Sequence, residues 1–245
     1  MRRVKSGIEV IDNNIEGGFP LGFNIMIHGE PGTGKSLVIQ EIAHNFMKED
    51  FYCIFISTDR NLDDFLDETS KYNNSFRNFW KEGRLIFIDA HSWKSAIKMP
   101  KKDTSGVSFS VSLQQLTSLG ILLSEIRKKL ENRRVIEIFD CVSELFLWTK
   151  EDEVILRFLS SFCSKTRSLN HLSFFVVEKG MQRESMLSSM NSIFQGSLFL
   201  GIEGTKRFLQ IKKMSSTDYS LDKIYFKLSK EGGILKFDNL EEKKQ

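Results

Sequence analysis

Little in this chain fits an extracellular, membrane-spanning or disordered protein. Among its 245 residues there are three cysteines, Cys53, Cys141 and Cys163, far apart and without a CxxC pair. That pattern argues against a disulfide framework and for a reduced, intracellular protein with buried thiols. Three prolines and sixteen glycines leave no Pro- or Gly-rich linker. No apolar run approaches the roughly 18 residues of a membrane span. The start, Met1-Arg2-Arg3-Val4-Lys5, has charges but no apolar stretch behind them. No signal peptide is therefore expected, and the expected compartment is the cytoplasm. A strong charge excess is also missing: 35 basic against 32 acidic residues give a net charge of +3. So weak a bias neither demands nor excludes a nucleic-acid partner.

What is present reads as one globular α/β domain over residues 1–240, followed by a polar tail, Glu241 to Gln245. No internal repeat is visible at a period of roughly 20–50 residues. Phe23–Ile27 is a short apolar run that predicts a buried strand, and Lys35–Met47 has apolar residues at helical spacing. Strand and helix then alternate: strands at Tyr52–Ser57, Leu85–Ile88, Arg134–Phe139 and Leu172–Val177, helices at Asn61–Lys71, Leu113–Leu130 and Asp152–Ser168. Such alternation predicts a mostly parallel sheet with helices on both faces. The last third predicts strands at Ser197–Ile202, Arg207–Lys212, Lys223–Leu228 and Gly233–Phe237, the first two joined as a hairpin through Glu203-Gly204-Thr205-Lys206. Ser92–Val111 is irregular and reads as a long loop.

The chemistry concentrates at Gly29-Glu30-Pro31-Gly32-Thr33-Gly34-Lys35-Ser36, which fits G-x-x-x-x-G-K-[ST] between a strand and a helix. The glycines let backbone N–H groups turn inward around phosphates, and the following helix N-terminus adds partial positive charge. In this pattern Lys35 reaches the β- and γ-phosphates and the Ser36 hydroxyl ligates Mg²⁺. A carboxylate on a neighbouring strand should hold the magnesium shell, and Val135-Ile136-Glu137-Ile138-Phe139-Asp140 ends in one, Asp140. Glu137 within that strand needs a partner, because a buried carboxylate is costly alone. Glu178 ends the following strand, where it could sense the nucleotide or act as base. His28 reads as packed rather than catalytic. His44 and His171 have no metal-ligand partners at usable spacing, so no metal besides magnesium is expected. Arg127, Lys128, Lys129, Arg133 and Arg134 read as a solvated helix end rather than a DNA patch. Phe174, Phe175, Phe194, Phe199 and Phe208 read as core packing rather than base-stacking platforms.

Upstream stands Ser6-Gly7-Ile8-Glu9-Val10-Ile11-Asp12-Asn13-Asn14-Ile15-Glu16-Gly17-Gly18-Phe19-Pro20-Leu21-Gly22. It resembles the signature S-G-I-x-x-[LI]-D-x-x-[LI]-x-G-G-x-P-x-G of the RecA-like ATPases of the KaiC and RadA group. Ile88-Asp89-Ala90-His91-Ser92-Trp93, Phe139-Asp140-Cys141-Val142-Ser143 and Glu178-Lys179-Gly180-Met181 resemble further segments of archaeal KaiC-like proteins, so the likeness covers roughly residues 6–237. It implies a RecA-like P-loop core, ATP as ligand and a tendency to form homo-oligomers. Two departures stand out. Active members carry one or two glutamates after the strand that follows the P-loop helix, one of them the general base. Here Asp59 and Arg60 stand at those positions, and Asp is one methylene shorter. The family also has a K-M-R-x-S-x-H-like segment that reaches the γ-phosphate of the neighbouring subunit. Here it reads Lys213-Met214-Ser215-Ser216-Thr217-Asp218, so Lys213 is kept while the Arg and His are not. FlaH-like, motor-associated members share such gaps. The resemblance thus implies a slow ATPase or an ATP-binding switch working through partners. Two alternatives stay open: an active ATPase acting on DNA through Gly180–Ser185, whose single Arg is a poor electrostatic footprint, and a scaffold that has lost its nucleotide.

Overall fold

The computed structural model describes residues 1–71, 75–92, 106–149, 151–228 and 235–237. The chain opens with β1 (Arg3–Val4), α1 (Glu9–Asn13) and β2 (Phe19–Pro20), and β1 pairs antiparallel with β2. Asp12 explains part of the upstream signature: its buried carboxylate accepts from the Ser6 backbone N and hydroxyl, both at 2.8 Å. There follow β3 (Asn24–Gly29), α2 (Lys35–Lys48), β4 (Tyr52–Ser57), α3 (Leu62–Ser70), α4 (Ser75–Lys81), β5 (Leu85–Asp89) and β6 (Val107–Ser110). Next come α5 (Leu116–Lys129), β7 (Val135–Asp140), α6 (Leu145–Trp148), α7 (Asp152–Ser168), β8 (Leu172–Glu178) and α8 (Glu184–Ile193). The chain closes with β9 (Gly196–Glu203), β10 (Lys206–Met214), β11 (Ile224–Leu228) and β12 (Leu235–Phe237).

Strands β3 to β12 make one sheet in the order β12-β11-β10-β9-β3-β8-β7-β4-β5-β6. From β9 to β6 every pairing is parallel; β10, β11 and β12 add antiparallel at the other end. The expected mostly parallel sheet with flanking helices and C-terminal hairpin strands is thus what forms. Helices cover both faces of the parallel part. On one, Val38, Ile39, Ile42 and Phe46 of α2 pack on Ile25, Ile27, Phe55 and Phe174. On the other, Leu119, Leu123 and Ile126 of α5 and Ile155, Leu159 and Phe162 of α7 pack on Met26, Ile54, Ile56, Phe139 and Phe175. Among the described residues twelve phenylalanines are fully buried, each stabilising by about 1.5–3 kcal/mol relative to exposure. The rings of Phe55, Phe65, Phe76 and Phe87 interlock at 4.8–5.9 Å and fasten α3 and α4 to β4 and β5.

Several expectations need correction. Ser92–Val111 is not loop throughout: Val107–Ser110 pairs in parallel with β5 as an edge strand, Ile86 opposite Val107. Its residues stay exposed or half-buried, so no apolar alternation marked it. Residues 93–105 lie outside the described residues, as do Gly233 and Ile234 of the last expected strand and the tail from Glu241. Four short helices, α1, α4, α6 and α8, lie outside the elements expected from the sequence. Phe174, Phe175 and Phe194 are core residues; Phe208 is also buried, 6% exposed, though outside the two main clusters, and only Phe199 is half-buried.

Arg127 is not part of a solvated helix end. It is buried and gives Glu137 a forked ion pair, Nη2 to Oε2 at 2.7 Å and Nε to Oε1 at 3.0 Å. The other Glu137 partner is His171, whose Nδ1 lies 2.7 Å from Oε1. Burial pushes the fully buried Glu137 carboxyl up, but the His171 hydrogen bond and the Arg127 charge prevail and its pKa falls below the usual value. Arg133 and Arg134 stack on Tyr52 and Phe51, 5.5 and 3.9 Å from the ring centroids. Cys53 and Cys163 are buried and unpaired, as expected; Cys141 is half-buried and also unpaired. Among the described residues, no helix is long and apolar enough to cross a membrane, and no group of three or more His, Cys, Asp or Glu side chains forms a metal cluster.

Candidate nucleotide site

The parallel register brings the candidate residues to one edge of the sheet. Gly29 lies opposite Glu178, and Ser57 lies opposite both Asp89 and Asp140. These are the carboxyl ends of β3, β8, β4, β5 and β7, where ligands bind in open parallel sheets. The loop Gly29–Ser36 leaves β3 here and turns into α2. Gly29 must be glycine: a Cβ there would lie 2.1 Å from the Leu200 carbonyl oxygen. Gly34 takes φ 97° and stands at the N-cap of α2 without a side-chain acceptor. The first-turn N–H groups of α2 are therefore free of a side-chain cap and face the loop, which is the arrangement that receives an anion. Thr33 Oγ1 donates to the Glu30 carbonyl at 2.8 Å and steadies the turn.

Lys35 is buried, and its Nζ donates to the Glu30 carbonyl at 2.7 Å and pairs with Glu178 Oε2 at 3.0 Å. A carboxylate thus already sits where an ammonium in a glycine-rich loop would meet a phosphate. Ser36 Oγ donates to Asp140 Oδ1 at 3.4 Å. Burial pushes the Asp140 carboxyl up from 3.8 to about 7; the Asp59 charge adds to the rise, and Arg60, Ser36 and Lys35 oppose it. A hydroxyl and a desolvated carboxylate side by side suit a hard divalent cation that prefers oxygen ligands. The uncapped helix end, the ammonium paired with a carboxylate and this oxygen pair all fit a magnesium-bound nucleoside triphosphate.

Asp59 and Arg60 follow β4. Arg60 clamps Asp59 through both carboxylate oxygens, Nε to Oδ1 at 3.0 Å and Nη2 to Oδ2, and also pairs with Glu68 of α3. Ser57 Oγ adds a bond to Asp59 at 3.2 Å. Burial would lower the Arg60 pKa, but Asp59, Asp140 and Glu68 raise it. The clamp is fixed locally: Asn61 caps α3 by accepting from the Asp64 backbone N at 2.9 Å, and this sets the β4–α3 turn. Lys213 is placed away from the loop of its own chain. Its Nζ donates to the carbonyls of Asn191 and Phe194, both at 2.7 Å, at the C-terminus of α8. His28 packs beside Phe199, ring centroids 5.3 Å apart. Burial and then Lys212, Lys179 and Lys35 lower its pKa to about 4.

Three residues near the site escaped sequence reading. Arg207 of β10 donates from Nε to the Gly32 carbonyl at 3.3 Å and lies with Phe226 against Gly34. Thr58 Oγ1 donates to the Cys141 carbonyl at 3.1 Å and accepts from the Cys141 N at 2.8 Å, and the Thr58 N donates to the Asp140 carbonyl at 2.8 Å. It thereby ties the end of β4 to the end of β7. Ser143 accepts from the Glu178 N at 2.8 Å and donates to Gln182 Oε1 at 3.0 Å, which fixes the β8 end. No spacing in the sequence announces these contacts, because their partners lie 35–175 positions away.

The chain is similar to the archaeal flagellar ATP-binding protein FlaH of Methanocaldococcus jannaschii, 24% identical over 239 residues, which covers 96% of this chain and 94% of that one. It is also similar to a UPF0273 protein of Thermotoga maritima, 24% identical over 242 residues and covering 96% of each. The solved structure of a KaiC-like protein from Pyrococcus horikoshii superposes with a TM-score of 0.76 at 21% identity, over 96% of this chain and 99% of that one, and so shares the fold. The family model described as "ATPase: KaiC" matches residues 4–240. With that match, and with the P-loop geometry in place, the chain belongs to the KaiC ATPase family.

Proposed function

We propose that the chain binds ATP with Mg²⁺ at Gly29–Ser36 and works as a nucleotide-dependent regulatory or assembly switch with weak or no hydrolysis, residues 1–240 acting as one unit. Membership of the family implies nucleotide binding. The observation that carries slow turnover is the clamp on Asp59. A general base must reach the attacking water and accept its proton. Asp59 is a methylene short, and Arg60 holds both of its oxygens. Carboxylate oxygens engaged in a forked, charge-assisted pair are held in that geometry and are not turned toward a water.

The remaining residues have roles that follow from their positions. Backbone N–H groups of Gly32, Thr33, Gly34 and Lys35 would cradle the phosphates, Lys35 would bind the terminal ones, and Ser36 and Asp140 would hold the metal. When bound, the metal neutralises phosphate charge. Glu178 would release Lys35 as phosphate arrives, so that the end of β8 and its Ser143 partner report occupancy. Lys213 would reach a neighbouring copy only by leaving the two carbonyls it holds. A homo-oligomer or a protein partner would read the switch, and the ATP-binding FlaH of the archaeal flagellum is a relative that fits such a role. The competing reading, an active ATPase on DNA through Gly180–Ser185, is disfavoured because Gln182 bonds inward to Ser143.

The test joins a melting experiment with turnover. At a ligand concentration a hundredfold above Kd, Mg-ATP should stabilise the native chain by about 2.7 kcal/mol, a rise of roughly 5–11 °C for a chain of this size. Lys35→Ala should abolish the shift. No shift in the native chain would overturn nucleotide binding here, and turnover above about 1 s⁻¹, the ordinary enzyme range, would overturn the switch.

A further inference from the structure

The outer face of β9–β11 carries aromatic rings that the core does not use. Cross-strand register places Phe208 directly between Gly201 and Tyr225, and Gln210 opposite Phe199. Lys206 stands opposite Glu203, and Lys212, Lys223 and Lys227 project from the same face by the two-residue alternation of strands. None of Phe199, Phe208 and Tyr225 belongs to the two main hydrophobic clusters; Phe199 and Tyr225 are half-buried, and Phe208 between them is buried beneath the lysines, 6% exposed. Their rings form a connected row, with 5.9 Å between the centroids of Phe199 and Phe208 and 6.1 Å between those of Phe208 and Tyr225. Gly201 makes the row possible: a Cβ there would stand 2.6 Å from the Phe208 ring, so only glycine lets that ring lie down across β9.

Lysines cover this row. Lys223 Nζ lies 4.7 Å from the Phe208 centroid, Lys212 Nζ 5.7 Å from Phe199 and Lys206 Nζ 5.9 Å from Tyr225. Lys206, Lys212 and Lys227 are exposed and Lys223 partly so. Glu203, an acid of this grid, is already held by Lys223 at 2.8 Å and by the Tyr225 hydroxyl. Cations over ring faces are held by the ring quadrupole, worth about 0.5–1 kcal/mol at exposed sites. That is weak enough for a competing π-face to displace them.

We propose that this face binds single-stranded nucleic acid, with bases stacking on the Phe199–Phe208–Tyr225 row and phosphates paired with Lys206, Lys212, Lys223 and Lys227. Lysines alternating with rings on a sheet match both halves of a nucleotide, its anionic backbone and its flat base. A duplex keeps its bases stacked inside and offers the rings nothing. A protein partner would need acids to match four lysines and would leave the ring row without a reason. The ring row does not include Gly180–Ser185, and its Phe199 end packs on His28, the residue before the P-loop, at 5.3 Å between ring centroids; binding is read without nucleotide and the ATP site by melting, so the failure of one does not decide the other.

The test is fluorescence anisotropy with a labelled oligothymidine of about 20 nucleotides, longer than the roughly 4–16 nucleotides one such sheet covers. The full chain is used without nucleotide, between about 50 and 200 mM salt. The native chain should bind, with affinity falling as salt rises, and should bind a duplex of the same length more weakly. The Lys212→Gln/Lys223→Gln variant, altered only at the surface, should bind more weakly with a log–log salt slope shallower by about 1.4, at roughly 0.7 per phosphate contact. Phe199→Ala and Tyr225→Ala should each weaken binding about fivefold to 150-fold, the equivalent of one lost base stack. Absence of binding at about 50 mM salt, equal binding of duplex, or native affinity in the lysine variant would overturn the proposal. So would a lysine variant that changes only the sedimentation of the free protein, which would make this face a contact between copies of the chain.

Discussion

Replacing Glu178 with Gln removes the charge that holds Lys35 and keeps the side-chain volume. The Lys35–Glu178 separation is 3.0 Å, with the two side chains 5% and 21% exposed. Unit charges that close attract by about 5.5 kcal/mol at an effective dielectric constant of about 20. Desolvation offsets most of that, and Lys35 also keeps the Glu30 carbonyl. Exposed pairs net at most about 1 kcal/mol, and a pair set this deep should net about 1–2 kcal/mol. A phosphate must displace or share this carboxylate to reach Lys35. Glu178→Gln should therefore tighten Mg-ATP binding by the same 1–2 kcal/mol, about five- to thirtyfold in Kd. Titration calorimetry at fixed ionic strength measures it. Unchanged or weaker binding in the variant would refute the latch. Unchanged binding with loss of residual phosphate release would instead make Glu178 the base.

Two further predictions concern the frame around the site. Arg127→Met leaves Glu137 charged and buried with only His171 beside it, and should cost about 3–5 kcal/mol in urea unfolding; a cost under about 1 kcal/mol would show that the pair is not what holds α5 to β7. For His28, the native pKa of about 4 lies below the ordinary 6.5. The unfolded chain binds the extra proton between those values, so stability is lost as pH falls through that window, by up to about 3 kcal/mol. His28→Gln should flatten the acid limb of a stability–pH curve, and an unchanged limb would assign the acid sensitivity elsewhere.

Local patterns carried much of this architecture. The P-loop, the strand before it and the helix after it are set by spacing and glycine placement within about twenty residues, and Asp152–Ser168 is helical end to end as its periodicity predicts. Asp140 was legible because an apolar strand ending in an acid is itself a local pattern. What stayed hidden depends on contacts across the fold. Glu137 looked anomalous because Arg127 and His171 meet it only once α5 and β8 pack on β7. β6 was hidden because an exposed edge strand carries little apolar signal. Phe208 is buried as its strand pattern suggested, whereas Phe199 is only half-buried, because apolar strands do not announce which face a helix will cover. The clamp of Asp59 by Arg60 was half legible: adjacency was plain, but the fork and its tie to Glu68 needed the α3 cap at Asn61.

The central claim is that this KaiC-family chain holds nucleotide without turning it over, because its base position is short and clamped. The direct measurement is single-turnover phosphate release with Mg-ATP by the native chain, by Asp59→Glu/Arg60→Glu, which lengthens the carboxylate and removes the clamp, and by Lys35→Ala. The account predicts near-silence in the native chain, a gain of at least about tenfold, or 1.4 kcal/mol in the barrier, in the double variant, and no release from Lys35→Ala. Brisk release by the native chain that the double variant does not raise would contradict it, and would make the chain a working ATPase with another group as its base.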